Sequence, residues 1–193
     1  MSREYPASMA KTFDLRTGLS PDYRTTQRRL SQMKGMFADA EAYAALLAKD
    51  PLVYEFHEPG LPEKPTEITF GTSITYPGKV GDEYFMTKGH FHTILDLAEV
   101  YFCLRGRGLM LMESPEGDCE AQTMTPGVAV YVPGRYAHRS INTHDREPLV
   151  SFFAFRADAG HDYGTIETKG FRKIVVERDG EPCILDNPRW ARK

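Results

Sequence analysis

The chain has 193 residues and a formal net charge of −3, which suits one compact domain with its own core. A mildly acidic chain lacks the basic surface that nucleic-acid binding requires, and no apolar run approaches the roughly 20 residues needed to cross a bilayer. The first residues contain no apolar signal segment, and the three cysteines are too widely spaced for a disulfide framework. We therefore expect a cytoplasmic protein without nucleic-acid or membrane partners.

The N-terminal part of the chain predicts a helical lead-in. Ser20 and Pro21 are typical of a helix start, with serine as the N-cap, and the polar, arginine-rich stretch 22–33 follows. Asp39 is a second candidate N-cap, for an alanine-rich helix that runs to Leu47.

From residue 51 the sequence changes to short apolar or alternating runs, separated by glycine, proline and aspartate, which is typical of strands and turns. The predicted strands are 52–56, 68–75, 84–87, 99–104, 109–113, 121–124, 128–132, 137–142, 149–155, 173–177 and 182–185. The last two flank Asp179-Gly180, a strong hairpin signal. The series favours a small antiparallel β-barrel of about eight strands, able to hold one small ligand. We expect residues 1–50 to pack as a helical extension on a barrel of residues 51–193, forming one structural domain.

Four residues form a candidate metal site. His90 and His92 are two apart, so on an extended strand both imidazoles point the same way, and later strands would bring Glu99 and His138 to them. Three neutral imidazoles and one carboxylate suit Fe(II), Mn(II), Ni(II) or Zn(II) and leave positions open for a substrate. A His-x-His pair alone is more often solvated or hydrogen-bonded than metal-bound, so the prediction depends on the surrounding residues.

These surroundings, residues 89–106 and 127–142, resemble the two glycine-framed signature motifs of the cupin superfamily of small β-barrel metalloproteins. Two features depart from the usual cupin pattern. Six residues rather than three or four separate His92 from Glu99, and Arg135 stands where a glycine is usual. The resemblance implies a mainly β fold, the cupin double-stranded β-helix.

Longer strings are similar to the cupin-type (archaeal-type) glucose-6-phosphate isomerases. The most specific are Thr-Lys-Gly-His-Phe-His at 87–92 and Ala-Gly-His-Asp-Tyr-Gly at 159–164, supported by Tyr-Pro-Gly-Lys-Val-Gly at 76–81 and Asp-Asn-Pro-Arg-Trp at 186–190. The similarity runs from about residue 28 to the C-terminus, and the six-residue gap is itself a feature of that family.

The resemblance implies an aldose–ketose isomerase that interconverts glucose 6-phosphate and fructose 6-phosphate in glycolysis and gluconeogenesis. It also implies a homodimer with one divalent ion, Fe(II) by preference, held in each subunit by the four residues above. The sugar-phosphate site implied by the resemblance comprises Thr72, Ser73, Thr87, Gly89, His161 and Tyr163. The family often has tyrosine where this chain has Phe155.

Two residues are candidates for proton transfer. Glu99 is the only carboxylate that the motif places beside the metal, and its free oxygen can act as the base of a cis-enediol route. A metal-assisted hydride shift uses the same ligands, so both routes stay open. His161 is the second candidate, as an aid to opening the sugar ring. Without the family pattern, a loop histidine bonded to backbone explains it equally well.

Strand alternation adds two candidate substrate contacts. Lys88 is two residues before His90, so we expect it on the same inward face, either attracting the phosphate or solvated at the barrel rim. Tyr101 shares the face of Glu99 by the same count, and either hydrogen-bonds the substrate or fills the cavity.

Two other functions are compatible with the metal site. A non-haem iron dioxygenase uses the same ligand types, and a non-catalytic sugar-binding cupin keeps the site without turnover. Dioxygenase substrates usually need apolar walls or a cationic clamp, whereas a sugar phosphate needs hydroxyl and amide donors. The predicted hydroxyl donors therefore favour the sugar phosphate.

Overall fold

The computed structural model describes residues 7–190, and this part of the chain is mainly β, with two short α-helices. The helices are α1 (Ala40–Leu47) and α2 (Gly164–Lys169), and a 3₁₀ turn spans Leu30–Met33. The strands are β1 (Arg24–Arg29), β2 (Leu52–Glu58), β3 (Ile68–Thr75), β4 (Lys79–Val80), β5 (Glu83–Tyr84), β6 (Glu99–Arg105), β7 (Gly108–Glu113), β8 (Cys119–Met124), β9 (Ala129–Val132), β10 (Ala137–Asn142), β11 (Leu149–Arg156), β12 (Lys173–Arg178) and β13 (Glu181–Asp186).

These strands form three antiparallel sheets, with the orders β1-β2-β3-β11-β6-β9, β10-β7-β8 and β13-β12-β5-β4. The first two sheets pack face to face, because Cys103 and Phe153 of the six-stranded sheet share one buried cluster with Met110 and Met112 of the three-stranded sheet. The architecture confirms the predicted mainly β cupin fold. The ladders remain separate sheets and do not close into one continuous hydrogen-bonded barrel.

The N-terminal segment covers two surfaces of this core. Leu30 and Phe37 share a second buried cluster with Phe85 and Val175, so this part of the chain packs near the four-stranded sheet. Farther toward the N-terminus, Gly18 lies against the outer face of the six-stranded sheet.

The helix predicted over 22–33 is wrong. Residues 24–29 form β1, an edge strand whose register pairs Arg28 with Tyr54 of β2. An edge strand needs few apolar residues, and charged side chains protect it from pairing with other chains. The second predicted helix is confirmed. Helix α1 begins at Ala40, and the Asp39 side chain accepts hydrogen bonds from the backbone N–H groups of Glu41 and Ala42 in its first turn.

The expected boundary at residue 50 lies between α1 and β2. Strand β1 precedes the boundary and hydrogen-bonds to β2, which follows it. The division into an extension (1–50) and a barrel (51–193) stays a prediction.

Most predicted strands are present, and those at 68–75 and 137–142 have the bounds of β3 and β10. The hairpin between β12 and β13 is confirmed. Asp179 and Gly180 have φ angles of 53° and 80°, and two positive φ angles are what a type I′ turn requires. Within residues 7–190, no helix has the length and apolar character needed to span a membrane.

Candidate metal centre

The four predicted ligands lie together between the two facing sheets. Glu99 is the first residue of β6 and His138 lies on β10, while His90 and His92 lie on the connection between β5 and β6. One ligand atom from each of the four residues lies within 4.8 Å of the other three. The site therefore joins parts of the chain that are far apart in sequence.

The Glu99 carboxylate lies at the centre of this cluster. Its Oε2 atom is 3.2 Å from His92 Nε2 and 2.9 Å from His138 Nε2. His90 is placed by a backbone bridge to His138, in which each N–H donates to the other residue's carbonyl at 3.3 and 3.2 Å. This bridge brings the two imidazole rings to a centroid distance of 4.6 Å.

Backbone carbonyl groups fix the orientation of two of the imidazoles. His92 Nδ1 is 2.9 Å from the Leu97 carbonyl oxygen, and His138 Nδ1 is 3.3 Å from that of Tyr136. A ring nitrogen facing a carbonyl carries the proton, so each Nε2 presents a lone pair to the site.

Two of the histidine nitrogens lack a hydrogen-bond partner. In the described part of the chain, the Nε2 atoms of His90 and His138 are buried and make no hydrogen bond. Buried polar atoms are rarely left unpaired in native proteins, and an unpaired one needs an explanation such as an ion. A bound cation would satisfy both nitrogens.

The electrostatic environment holds two of the ligands, Glu99 and His90, in the protonation states that metal binding requires. The pKa of His92 is instead raised, because burial, which lowers it, is outweighed by the hydrogen bond and the charge of Glu99. Burial raises the pKa of Glu99, but His138 and His92 outweigh it and lower the pKa to about 2, so the carboxylate is charged. Burial and the neighbouring histidines hold the pKa of His90 well below its usual value, so this imidazole is neutral. Metal ligation needs a charged carboxylate and neutral imidazoles, and the donor set fits one divalent cation.

Three of the four ligands, His90, Glu99 and His138, line a cavity. Phe155 forms part of its wall, with its ring stacked 5.5 Å from that of His92. Six other predicted residues that are not metal ligands also line the cavity: Ser73, Thr87, Gly89, Tyr101, His161 and Tyr163. Their functions in substrate binding and catalysis stay predictions.

His161 and Tyr163 enter the cavity from the loop before α2. Their rings are stacked, with centroids 5.8 Å apart and planes 12° apart, and the His161 ring is 4.4 Å from that of His90. His161 therefore lies directly beside a predicted metal ligand, on the wall of the cavity.

Thr72 is not brought to the cavity. It lies next to Ser73 on β3, and successive strand residues point to opposite faces. The Thr72 hydroxyl instead donates to the Gly18 carbonyl of the N-terminal segment. This buried hydrogen bond ties the segment to the outer face of the six-stranded sheet.

Lys88 also lies outside the cavity. Its Nζ atom is 2.5 Å from Glu167 Oε1 of α2, and the expected alternation with His90 does not hold. The reason is Gly89, which has a φ angle of +74° and so interrupts the extended backbone. A Cβ atom at Gly89 would lie 2.7 Å from the Phe171 ring and 2.9 Å from the His138 carbonyl oxygen, so only glycine fits here.

The cavity contains residues that the sequence did not predict: Tyr54, Phe56, Glu58, Ser140 and Phe153. Ser140 is two residues after His138 on a predicted strand, so its inward direction could have been found by counting alternate positions. The β2 residues carried no such signal, because no predicted ligand lies on β2 to mark the inward face.

Several known proteins similar in sequence to this chain are isomerases. The family model described as glucose-6-phosphate isomerase matches residues 27–189. The glucose-6-phosphate isomerase of Thermococcus kodakarensis is 50% identical over 187 residues, covering 97% of this chain and 98% of its own. That of Pyrococcus furiosus is 50% identical over 180 residues, 93% of this chain and 95% of its own. That of Sinorhizobium medicae is 39% identical over 185 residues, which cover 93% of this chain and 86% of its own.

Solved structures give weaker matches. A mutant of Bacillus subtilis oxalate decarboxylase aligns with a TM-score of 0.43 and 21% identity, over 54% of this chain and 26% of its own. An oxalate oxidase in complex with the substrate analogue glycolate aligns with a TM-score of 0.44 and 10% identity, over 84% of this chain and 64% of its own. The family model and the full-length sequence similarity establish that the chain belongs to the glucose-6-phosphate isomerase family of enzymes.

Proposed function

We propose that this protein is a metal-dependent glucose-6-phosphate isomerase that interconverts glucose 6-phosphate and fructose 6-phosphate. The observation that carries the proposal is the cluster of three imidazoles and one carboxylate lining a cavity, in a chain half identical to such isomerases over nearly its full length. We expect the enzyme to act in glycolysis and gluconeogenesis in the cytoplasm.

Hydroxyl groups in the cavity support a sugar phosphate as the substrate. Ser73, Thr87 and Tyr163, which carry hydroxyl groups, line the wall of the cavity. Such donors bind phosphate and sugar oxygens without a large basic patch. Tyr54 and Ser140 add two further hydroxyls that the substrate can reach.

The isomerisation moves one hydrogen between C1 and C2 of the sugar. When bound, a divalent cation polarises the carbonyl group and stabilises the developing negative charge on oxygen. Glu99 Oε2 faces two histidines, which leaves Oε1 to take a proton from one carbon and return it to the other. His161, beside the cavity, would assist ring opening by proton transfer to the ring oxygen.

The low pKa of Glu99 makes it a weak base, which keeps direct hydride transfer between C2 and C1 as the competing route. The two routes differ in the fate of the hydrogen. Turnover in D₂O incorporates deuterium into the product if Glu99 exchanges the proton with solvent, and leaves the carbon-bound hydrogen in place if it moves as hydride. Full retention under single-turnover conditions would exclude Glu99 as an exchanging base.

For the metal we propose one Fe(II) per subunit, with Mn(II), Ni(II) and Zn(II) as alternatives that the same donor set accepts. Metal analysis of the purified protein, followed by titration of the chelator-stripped protein with each ion, tests this choice. Higher turnover with another ion at equal occupancy would replace Fe(II).

We also propose a homodimer, with an exposed apolar face on β6 and β9 as the contact. Val100 is 39%, Phe102 41% and Tyr131 65% exposed, and the register places Val100 directly opposite Tyr131. Exposed apolar side chains that cluster on one sheet face mark an interaction site. Sedimentation of Phe102→Lys beside the unmodified protein tests the contact, and a variant that remains dimeric would rule this face out.

A coupled assay tests the proposed activity directly. Chelator-stripped protein should convert fructose 6-phosphate to glucose 6-phosphate only after Fe(II) or Mn(II) is added. Stoichiometric metal binding without turnover, with any of the four ions, would overturn the proposed function.

A further inference from the structure

Arg139 is a buried cation directly beside the metal centre. It follows His138 on β10, is only 2% exposed, and points away from the cavity that His138 and Ser140 line. Burying a guanidinium without a direct ion pair is costly, and an apolar residue would stabilise the same position better. In the described residues, no carboxylate lies within ion-pair distance of Arg139; Glu83 and Glu113 act on it only through longer-range attraction. Stability alone therefore does not account for an arginine here.

The contacts of Arg139 converge on the ligand segment, which we define as residues 86–92. Its Nη2 donates to the Lys88 carbonyl at 2.6 Å, and its Nη1 lies 2.8 Å from Met86 Sδ. The guanidinium is stacked 4.0 Å from the centroid of the Phe171 ring, the same ring that would meet a Cβ atom at Gly89. Arg139 and Phe171 thus hold the Lys88–Gly89 peptide from two directions.

This support is needed because the ligand segment is not part of a sheet. Isolated bridges at Met86, His90 and Phe91 connect it to its neighbours, and these do not form a continuous ladder. The left-handed conformation of Gly89 further reduces the regularity of the backbone just before His90. A fixed hydrogen bond to the Lys88 carbonyl therefore determines how the next residues leave this turn.

We propose that Arg139 is a positioning residue, which fixes the Lys88–Gly89 peptide and thereby holds His90 in place for the metal. The inference rests on the metal centre of the proposed function. Groups that orient metal ligands typically contribute about tenfold to a hundredfold in metal affinity, although they do not touch the ion.

Two substitutions and one control test the inference. Arg139→Met removes the donors and the charge, whereas Arg139→Lys keeps a charge that can reach the Lys88 carbonyl but has no planar group to stack on Phe171. Ile74→Ala removes a fully buried side chain on the outer face of the six-stranded sheet, away from the ligand segment. Mn(II) is titrated into each chelator-stripped protein by calorimetry, and the Tm of the metal-free form is measured in parallel.

We expect Arg139→Met to bind Mn(II) at least tenfold more weakly and Arg139→Lys to lie between it and the unmodified protein. Ile74→Ala should lower the Tm and keep the original Mn(II) affinity. Unchanged affinity in Arg139→Lys and Arg139→Met, or loss of affinity in Ile74→Ala in proportion to Tm, would overturn the inference alone. Absence of Mn(II) binding by the unmodified protein would overturn the metal centre, and the positioning function with it. If Arg139→Met does not fold, Arg139→Lys decides the matter.

Discussion

Thr72 and Ser73 are neighbours on β3, and their hydroxyl groups serve opposite faces of the six-stranded sheet. Ser73 lines the cavity beside the metal centre, while Thr72 donates a hydrogen bond to the Gly18 carbonyl under the N-terminal segment. One strand thus holds a cavity-facing hydroxyl and a structural hydroxyl next to each other. Substituting the two residues one at a time can therefore separate an effect on substrate binding from an effect on the stability of the fold.

Ser73→Ala should raise the KM for fructose 6-phosphate about twofold to tenfold, which corresponds to the loss of one hydrogen bond, with little change in Tm. Thr72→Val should behave in the opposite way. It leaves the Gly18 carbonyl without its donor, so we expect the free energy of unfolding to fall by about 1–2 kcal/mol and the KM to stay unchanged. Steady-state kinetics and urea unfolding of both variants provide the test. A larger change of KM in Thr72→Val than in Ser73→Ala would contradict the assignment of faces.

Glu99→Gln should keep part of the metal affinity, because three histidines remain, and lose most of the turnover. We expect kcat to fall by about a hundredfold or more if the Glu99 carboxylate transfers the proton. Glu55→Gln is a matched control, since Glu55 is also buried but its carboxylate accepts hydrogen bonds from Gln27 and Tyr76. A rate near normal in metal-loaded Glu99→Gln would remove Glu99 from the mechanism.

His138→Ala should lose metal and activity together without unfolding. The His138 side chain lines the cavity and contacts Glu99 Oε2 at 2.9 Å, so its removal takes away a ligand and leaves the apolar clusters intact. We expect metal affinity to fall by at least about a hundredfold, beyond the effect of a residue that only supports a ligand. Circular dichroism of the metal-free variant checks the fold, and metal analysis checks the loss. A metal-replete, fully active variant would be incompatible with the site.

Phe155→Tyr should strengthen sugar-phosphate binding. The Phe155 ring lines the cavity between the rings of His92 and His161, with centroid distances of 5.5 and 5.6 Å. A hydroxyl on this ring can donate a hydrogen bond to the substrate, so we expect KM to fall about twofold to tenfold. Inhibition by a non-reacting sugar phosphate measures the same gain without turnover. An unchanged inhibition constant would show that the ring edge does not contact the substrate.

Glu83 should make the stability of the fold dependent on pH. It is 3% exposed, and burial raises its pKa from 4.5 to about 7, against smaller opposing effects of the Ala38 N–H and Arg139. The folded state therefore holds a proton that the unfolded state has released, and the free energy of unfolding falls as pH rises from about 4.5 to 7. At 1.36 kcal/mol per pKa unit, this loss amounts to about 3 kcal/mol.

Glu83→Gln removes the titration and keeps an oxygen for the Ala38 N–H. The variant should therefore lose less stability between pH 5 and pH 8 than the unmodified protein, by up to about 3 kcal/mol. Urea unfolding of both proteins at the two pH values measures the difference. Equal pH dependence of the two proteins would show that Glu83 is ionised in the folded state throughout.

The ligands of the metal centre could be predicted because their spacing survives in the sequence. His90 and His92 are separated by one residue, and Glu99 and His138 lie in the two glycine-framed segments 89–106 and 127–142. The direction of Lys88 could not be predicted in this way, because counting alternate residues assumes an extended backbone. The left-handed φ angle of Gly89 breaks that assumption one residue later.

Strand β1 shows a second limit of the sequence. Its six residues, Arg-Thr-Thr-Gln-Arg-Arg, carry no apolar side chain, so neither helical nor strand periodicity is visible. Its conformation is decided by pairing with β2, in which Val53 and Tyr54 are buried. Such an edge strand is a product of tertiary structure, and only the fold reveals it.

The placement of the metal ligands on separate parts of the fold gives the ion a mechanical consequence. Glu99 belongs to the six-stranded sheet and His138 to the three-stranded sheet, while His90 and His92 lie on a segment joined to its neighbours by isolated bridges. An ion held by all four residues would connect the two facing sheets and the segment that carries His90 and His92. Ligand binding to the folded state alone adds about 2.7 kcal/mol at a hundred times the Kd. The free energy of unfolding would therefore rise with the free metal concentration of the surroundings, so that metal supply sets the stability of the enzyme as well as its activity.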